Sequence, residues 1–128
     1  MLWRKALTYW RSLVITLLIA YGCLVRQPLH TFPPIEHGDK WSHYAAFMLL
    51  TLCILWDSHQ ATVTPWKKWT LAILYPIAYG GIIELLQSKY FYPRIGEWAD
   101  WLADCIGVLI ASLIGLIIQK WHEHRMAQ

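Results

Sequence analysis

The chain has 128 residues, of which 57% are hydrophobic and 15% charged, so it offers too little polar material for an ordinary water-soluble surface. Its net charge is only +3, and no basic run is longer than Lys67-Lys68, which excludes the electrostatic footprint of a nucleic-acid-binding protein. We therefore expect an all-α polytopic membrane protein, built as a single domain over residues 1–128.

Four apolar segments follow one another along the chain, at residues 10–25, 41–56, 69–87 and 101–118. Each has about 16 to 20 residues, close to the length that a helix needs to cross the hydrocarbon core. Segments of this length satisfy their own backbone hydrogen bonds as helices, whereas barrel strands would alternate polar and apolar residues. The nine tryptophans lie at or beyond the segment ends, where an amphipathic ring prefers the interface. The sequence thus predicts a bundle of four transmembrane helices.

The basic residues are distributed unequally between the two sides of this predicted bundle. Seven of the eleven lysines and arginines lie on the side of the two termini and the second connection, and four lie on the other side. The positive-inside rule then places both termini in the cytoplasm and residues 27–39 and 88–97 outside. In an alternative interpretation the first segment is a signal peptide, although Ala20-Tyr21-Gly22 makes a poor cleavage site.

Ionisable and amide side chains interrupt the apolar segments at one end only. His43 lies near the start of the second segment, Glu84 and Gln87 near the end of the third, and Asp100 and Asp104 around the start of the fourth. With a rise of about 1.5 Å per residue, His43, Glu84 and Asp104 would lie at nearly the same level, just below the outer head groups. Because such groups are costly to bury in hydrocarbon unless they pair or meet water, we expect them to face inward together as a polar pocket.

One face of the fourth helix changes character along its length. It begins with Glu97, Asp100 and Asp104, and it continues as a line of small residues that includes Gly107 and Gly115. We expect the acidic part of this face to line the pocket and the small part to let a neighbouring helix approach closely.

Within this pocket we expect His43 and Glu84 to act as general acid and base, because imidazole and carboxyl groups commonly transfer protons in enzymes. Lys40 or Arg94 would hold an anionic phosphate, which lipid head groups and polyprenyl carriers share. This combination suggests phosphoryl or head-group transfer. Asp39 is either an N-cap of the second helix or a catalytic or binding group. In two other interpretations the polar side chains bind a divalent cation, or they only join the helices to one another.

These polar residues form three motifs in a set order: Asp39-Lys40-Trp41-Ser42-His43, then Glu84-Leu85-Leu86-Gln87, then Arg94 with Asp100, Asp104 and Gly107. Over about residues 39–115, their order and spacing resemble the VanZ-like family of small bacterial membrane proteins. That family's pattern reads D-K-x-x-H, then E-x-x-Q, then an arginine followed six residues later by Asp and four later by Asn. Here Asp104 stands where Asn is common, so donation of a hydrogen bond from this position requires a protonated Asp104. Ile83 stands where an acidic residue often precedes the Glu.

The resemblance implies a multi-pass protein of the bacterial cytoplasmic membrane, in a family whose founding member is associated with low-level resistance to the glycopeptide teicoplanin. The family has been proposed to belong with membrane enzymes, including phosphatidylserine synthases, that act on lipid head groups. The implied substrate is therefore a membrane lipid or a polyprenol-linked precursor. In the alternative, a non-catalytic envelope protein uses the same pocket to bind a lipid-linked precursor or a glycopeptide.

Carried over to this chain, the resemblance implies two sets of site residues. The catalytic set is His43, Glu84, Asp100 and Asp104, with the first two as the acid and base and the aspartates positioning them or the substrate. The substrate-binding set is Asp39, Lys40, Gln87 and Arg94. No cofactor is identified from the sequence, although a divalent cation would fit the residue types of the catalytic set.

Overall fold

The computed structural model describes residues 2–24, 38–90 and 97–128, and within these ranges the protein is all-α. The helices are α1 (Leu2–Thr8), α2 (Trp10–Leu24), α3 (Gly38–Gln60), α4 (Pro65–Tyr90) and α5 (Trp98–Met126). The four predicted apolar segments correspond, in chain order, to α2, α3, α4 and α5. Val25, the last residue of the first segment, is outside the described residues. The prediction of an all-α fold is therefore confirmed.

Two of these helices, α4 and α5, are long and apolar enough to cross a membrane. The pair α1 and α2 is a third candidate if it counts as one span, although the two helices are bent by 55° at their junction. The 23-residue α3 is not among the candidates in the described part of the chain. Polar residues explain this difference from the predicted four spans, since His43 near one end and Asp57 and Ser58 near the other shorten its apolar run.

The core is built around one face of α3. Phe47, Leu50 and Ile54 of this helix are at most 2% exposed, and their spacing of three and four residues places them on one side. They pack against Ile19 of α2 and Val108 of α5 in a single apolar cluster. Because α3 contacts each of the other four helices, its buried polar residues, which include His43, Asp57 and Ser58, are enclosed by the helices around it.

The contact between α3 and α5 is the most extensive in the protein, and glycine sets its spacing. A Cβ atom at Gly107 would lie 2.6 Å from the backbone oxygen of Tyr44, closer than two such atoms can approach. Farther along, a Cβ atom at Gly115 would lie 2.7 Å from Leu55 Cδ1. The prediction that the line of small residues permits close helix approach is confirmed. This packing brings the beginning of α5 against the beginning of α3, where the predicted site residues lie.

A buried carboxylate from α3 holds the beginning of α2 beside the bend. Asp57 accepts hydrogen bonds at Oδ2 from the backbone N–H of Ser12, at 3.0 Å, and from its hydroxyl, at 2.7 Å. Its Oδ1 pairs with the Arg11 guanidinium at 3.0 Å. Ser12 lies in the first turn of α2, where backbone N–H groups lack acceptors within the helix. Asp57 therefore caps α2 from a neighbouring helix and lies at the positive end of its dipole.

The two ends of the helical bundle differ in charge and composition. Five basic side chains lie over tryptophan rings at the end that carries Asp57, at 4.8 to 5.8 Å from the ring centroids. The pairs are Arg4 with Trp3, Arg11 with Trp10, Lys67 with Trp66, Lys68 with Trp69, and Arg125 with Trp121. His43 lies fourteen residues before Asp57 on α3, which corresponds to about 21 Å along the helix axis. The basic, tryptophan-rich end is thus separated from the end that carries the predicted site.

Candidate functional site

Three helices bring an imidazole and two carboxylates to one buried point. His43 lies in the second turn of α3, Glu84 near the end of α4, and Asp104 in the second turn of α5. Each offers one ligand atom, and these atoms all lie within 4.8 Å of one another. The residues are 6%, 7% and 0% exposed, respectively. The prediction that side chains from separate helices meet in a polar cluster is confirmed for these three residues, which we call the His–Glu–Asp cluster.

Two aspartates of α5 fix the environment of the imidazole. His43 Nδ1 lies 2.7 Å from Asp104 Oδ1, a hydrogen-bond distance at which a ring N–H donates to the carboxylate. His43 Nε2 lies 3.9 Å from Asp100 Oδ2. Because Asp100 and Asp104 are four residues apart, they project from the same face of α5 and lie against opposite nitrogens of one ring. A carboxylate at Nδ1 orients an imidazole in the way required of a general base.

Glu84 joins the end of α4 to the beginning of α5. Its Oε2 accepts a hydrogen bond from the backbone N–H of Glu97 at 2.8 Å. Glu97 is the N-cap residue of α5, yet its own side chain makes no capping hydrogen bond and is exposed. The backbone of Glu97 therefore takes part in the site, whereas its carboxylate does not. Glu84 is positioned by this bond and keeps its second oxygen for another partner.

Two oxygen atoms of the cluster are buried without a hydrogen-bond partner. They are Glu84 Oε1 and Asp104 Oδ2, and in the described part of the chain only Thr51 Oγ1 shares this condition. A buried polar atom left unsatisfied costs about 1–3 kcal/mol, and more when the group is charged. The concentration of two such atoms in one cluster calls for a proton, a cation or a ligand that donates hydrogen bonds.

Gly80 on α4 sets how closely the Asp104 carboxylate can approach. A Cβ atom at Gly80 would lie 2.6 Å from Asp104 Oδ2, whereas one at Gly81 would meet Trp101 Nε1 at an ordinary 3.4 Å. We expect Gly80→Ala to displace the carboxylate from His43 and to lower the free energy of unfolding by about 1–3 kcal/mol relative to Gly81→Ala. Thermal unfolding in detergent and the NMR signals of the His43 ring would measure the two effects.

The paired glycines make this comparison a matched one. Both substitutions lie inside α4 and gain the same helix propensity, about 0.5–1 kcal/mol, so this gain cancels in the difference. Equal unfolding midpoints for Gly80→Ala and Gly81→Ala, together with an unchanged imidazole spectrum, would contradict the close approach of Asp104 to α4.

The substrate-binding set is dispersed among different environments. Gln87 is 4% exposed, and its amide nitrogen donates to the backbone oxygen of Cys23 at 2.7 Å, so it ties α4 to the end of α2. Lys40 is half-buried at the start of α3, and within the described residues no ion pair joins it to the cluster. Arg94 and the side chain of Asp39 lie outside the described residues. The roles of these four residues in substrate binding stay predictions.

The buried group at Asp57 was missing from the residues singled out in the sequence. It consists of Asp57 with its partners Arg11 and Ser12, and it lies at the opposite end of α3 from His43. Its spacing in the sequence could have identified Asp57, because it lies three residues after the buried Ile54 and therefore on the same face of α3. A carboxylate on a buried helix face requires a hydrogen-bonding or charged partner, and this holds for Asp57 as it does for Glu84.

A cavity of about 460 Å³ lies between α2 and α3 and reaches His43. The described residues that line it are mostly apolar, and the polar ones among them are Ser42 and His43. Leu18 of α2 and Leu49 of α3 also line it and are 59% and 48% exposed, so the cavity lies at the outer surface of the helices. An apolar surface cavity thus ends at the imidazole of the cluster.

No family model, curated protein or solved structure matches the chain. The described residues therefore define a class of protein and not a family: an all-α protein in which two or three helices could span a membrane. Its His–Glu–Asp cluster contains the ligand types that could hold a metal ion.

Proposed function

We propose that the chain is a VanZ-like enzyme of the bacterial cytoplasmic membrane that transfers or hydrolyses the head group of a phospholipid or a polyprenol-linked envelope precursor. The observation that carries this proposal is the hydrogen-bonded His43–Asp104 pair at the polar end of an apolar surface cavity. A lipid substrate needs both features, because its chains stay in an apolar environment while its head group meets polar side chains.

Substrate access in this proposal is lateral, from the bilayer. The lipid chains lie against Leu18 and Leu49 between α2 and α3, and the phosphate reaches His43. The cavity volume of about 460 Å³ falls within the range of pockets that bind small ligands. Arg94 and Lys40 would hold the phosphate, with Asp39 and Gln87 completing the head-group contacts.

The proposed chemistry divides proton transfer between two residues. His43, oriented by Asp104, accepts the proton of the attacking hydroxyl group or water, and Asp100 positions the ring from its other side. Glu84 gives a proton to the leaving group through the oxygen that has no partner in the protein. This division needs one basic and one acidic group close together, and it is supported by the ligand atoms of His43 and Glu84, which lie within 4.8 Å of each other.

Four membrane spans, with both termini in the cytoplasm and the site facing outward, complete the proposal. The basic side chains at the Asp57 end support this orientation, because Lys and Arg are enriched on the cytoplasmic side of membrane proteins. The enclosure of α3 supports its inclusion as a span, since α2, α4 and α5 surround its buried polar residues.

Incubation of the purified chain in vesicles tests this function directly. The vesicles would contain phosphatidylglycerol, phosphatidylethanolamine and undecaprenyl diphosphate, and mass spectrometry would follow each lipid and its released head group. We expect the chain to consume one of these lipids with multiple turnovers. Saturable binding of a lipid-linked precursor or of teicoplanin without turnover would instead support the non-catalytic alternative.

A further inference from the structure

The His–Glu–Asp cluster contains the ligand types of a metal centre. Its three ligand atoms come from α3, α4 and α5 and lie within 4.8 Å of one another. None of the ion pairs in the described ranges joins a lysine or arginine to Glu84 or Asp104. Two carboxylates in such a position require positive charge or protons to offset the loss of hydration.

The two carboxylate oxygens without hydrogen-bond partners are stronger evidence for a bound ligand than the acidic composition of the cluster. Glu84 and Asp104 are more than nine-tenths buried, and Glu84 Oε1 and Asp104 Oδ2 have no hydrogen-bond partner. A cation bound by one oxygen from each carboxylate would satisfy both atoms at once. The bonds from Glu97 to Glu84 and from His43 to Asp104 already position the two carboxylates.

We infer that His43, Glu84 and Asp104 bind one divalent transition-metal ion, with Zn²⁺ preferred. One imidazole and two carboxylates suit Zn²⁺ or Mn²⁺, whereas Ca²⁺ takes six to eight oxygen ligands. Three protein ligands leave a fourth position open, the arrangement typical of catalytic zinc sites.

The chemical role of this ion rests on the proposed function, whereas its binding does not. With Zn²⁺ bound, His43 and Glu84 would be ligands instead of the base and the acid, and a water or the head-group phosphate would occupy the open position. The substrate class is then a phosphate ester whose anionic oxygen the cation can polarise.

Calorimetric titration of the purified chain with Zn²⁺ in detergent tests the inference. Exposed histidines bind Zn²⁺ weakly, so the titration uses a background in which every histidine except His43 is replaced by asparagine. We expect one Zn²⁺ per chain in this background. Adding Glu84→Gln or Asp104→Asn should weaken binding by at least about 100-fold, whereas Glu97→Gln, which changes an exposed carboxylate, should leave the affinity unchanged.

A second measurement protects the test against variants that fail to fold. Zn²⁺ should raise the unfolding temperature of the background protein and of Glu97→Gln, because it binds the folded state only. No binding in the background protein, or binding that survives both Glu84→Gln and Asp104→Asn, would overturn the inference. Lipid turnover by protein freed of metal with a chelator would overturn the chemical role of the ion and leave the proposed function standing, whereas the titration decides whether the ion binds. Specific Zn²⁺ binding without any lipid turnover would support the metal site and count against the proposed function.

Discussion

Glu84→Gln and His43→Asn are each expected to reduce head-group turnover by about 10²–10⁴-fold, the usual contribution of a general acid or base. Glutamine at position 84 keeps an oxygen that can accept the hydrogen bond from the Glu97 backbone, but it cannot transfer a proton. Asparagine at position 43 keeps a polar side chain beside Asp104 and removes the imidazole. Both variants should remain folded, so the loss appears in kcat rather than in the amount of inserted protein.

Glu97→Gln is the matched control for this pair of variants. Glu97 lies beside the same site, but its side chain is exposed and forms no capping hydrogen bond, so its turnover should equal that of the unmodified chain. Turnover within about threefold of the unmodified chain in both Glu84→Gln and His43→Asn would rule out their assignment as acid and base. Failure of either variant to insert would instead favour a cluster that only joins the helices.

Asp57→Ala is expected to lower the free energy of unfolding by about 2–4 kcal/mol. Asp57 is completely buried, and its loss removes the acceptor for the Ser12 backbone N–H, the Ser12 hydroxyl and the Arg11 guanidinium. The beginning of α2 then has an unsatisfied N–H group at the bend with α1. Thermal unfolding of the purified chain in detergent measures the change.

The control for this second effect is Glu123→Ala, an exposed carboxylate near the same end, which should change stability by less than about 0.5 kcal/mol. A double-mutant cycle with Ser12→Ala isolates the contribution of the hydroxyl-to-carboxylate bond. Turnover per folded molecule should be unchanged in Asp57→Ala, because His43 lies about 21 Å away along α3. Stability equal to that of Glu123→Ala would show that Asp57 does not cap α2.

The meeting of the three cluster residues could largely be predicted, because it depends on where each residue lies along its own helix. His43, Glu84 and Asp104 interrupt apolar helices at the same end, and the rise per residue places them at similar depth. Gln87 shows the limit of this reasoning. Its spacing of three residues from Glu84 suggests a shared site, but this spacing did not predict that its amide nitrogen donates to the backbone oxygen of Cys23 on α2. Depth and helix face restrict which residues can meet, but they do not choose among the neighbouring helices.

The number of spans illustrates the same limit. Apolar length alone predicted four similar helices, whereas the structure shows α3 as the more polar central helix, in which His43 near one end and Asp57 near the other are both buried. Hydropathy averages over a segment, so it does not register whether a polar residue is enclosed by other helices or faces outward. Asp57 was missed for a related reason, since it lies one residue beyond the predicted segment 41–56.

The amino-acid sequence by itself determined the helical class, the approximate helix ends and the end of the bundle where the acids and imidazole gather. These properties follow from hydropathy and periodicity, which depend on neighbours along the chain. Only the tertiary structure decided that Asp104 lies closest to the His43 ring, that Glu84 accepts the Glu97 backbone N–H, and that Asp57 caps α2. Those pairings depend on how closely and at what register the helices pack. That packing is set by close contacts such as those at Gly80 and Gly107, between residues far apart in the chain.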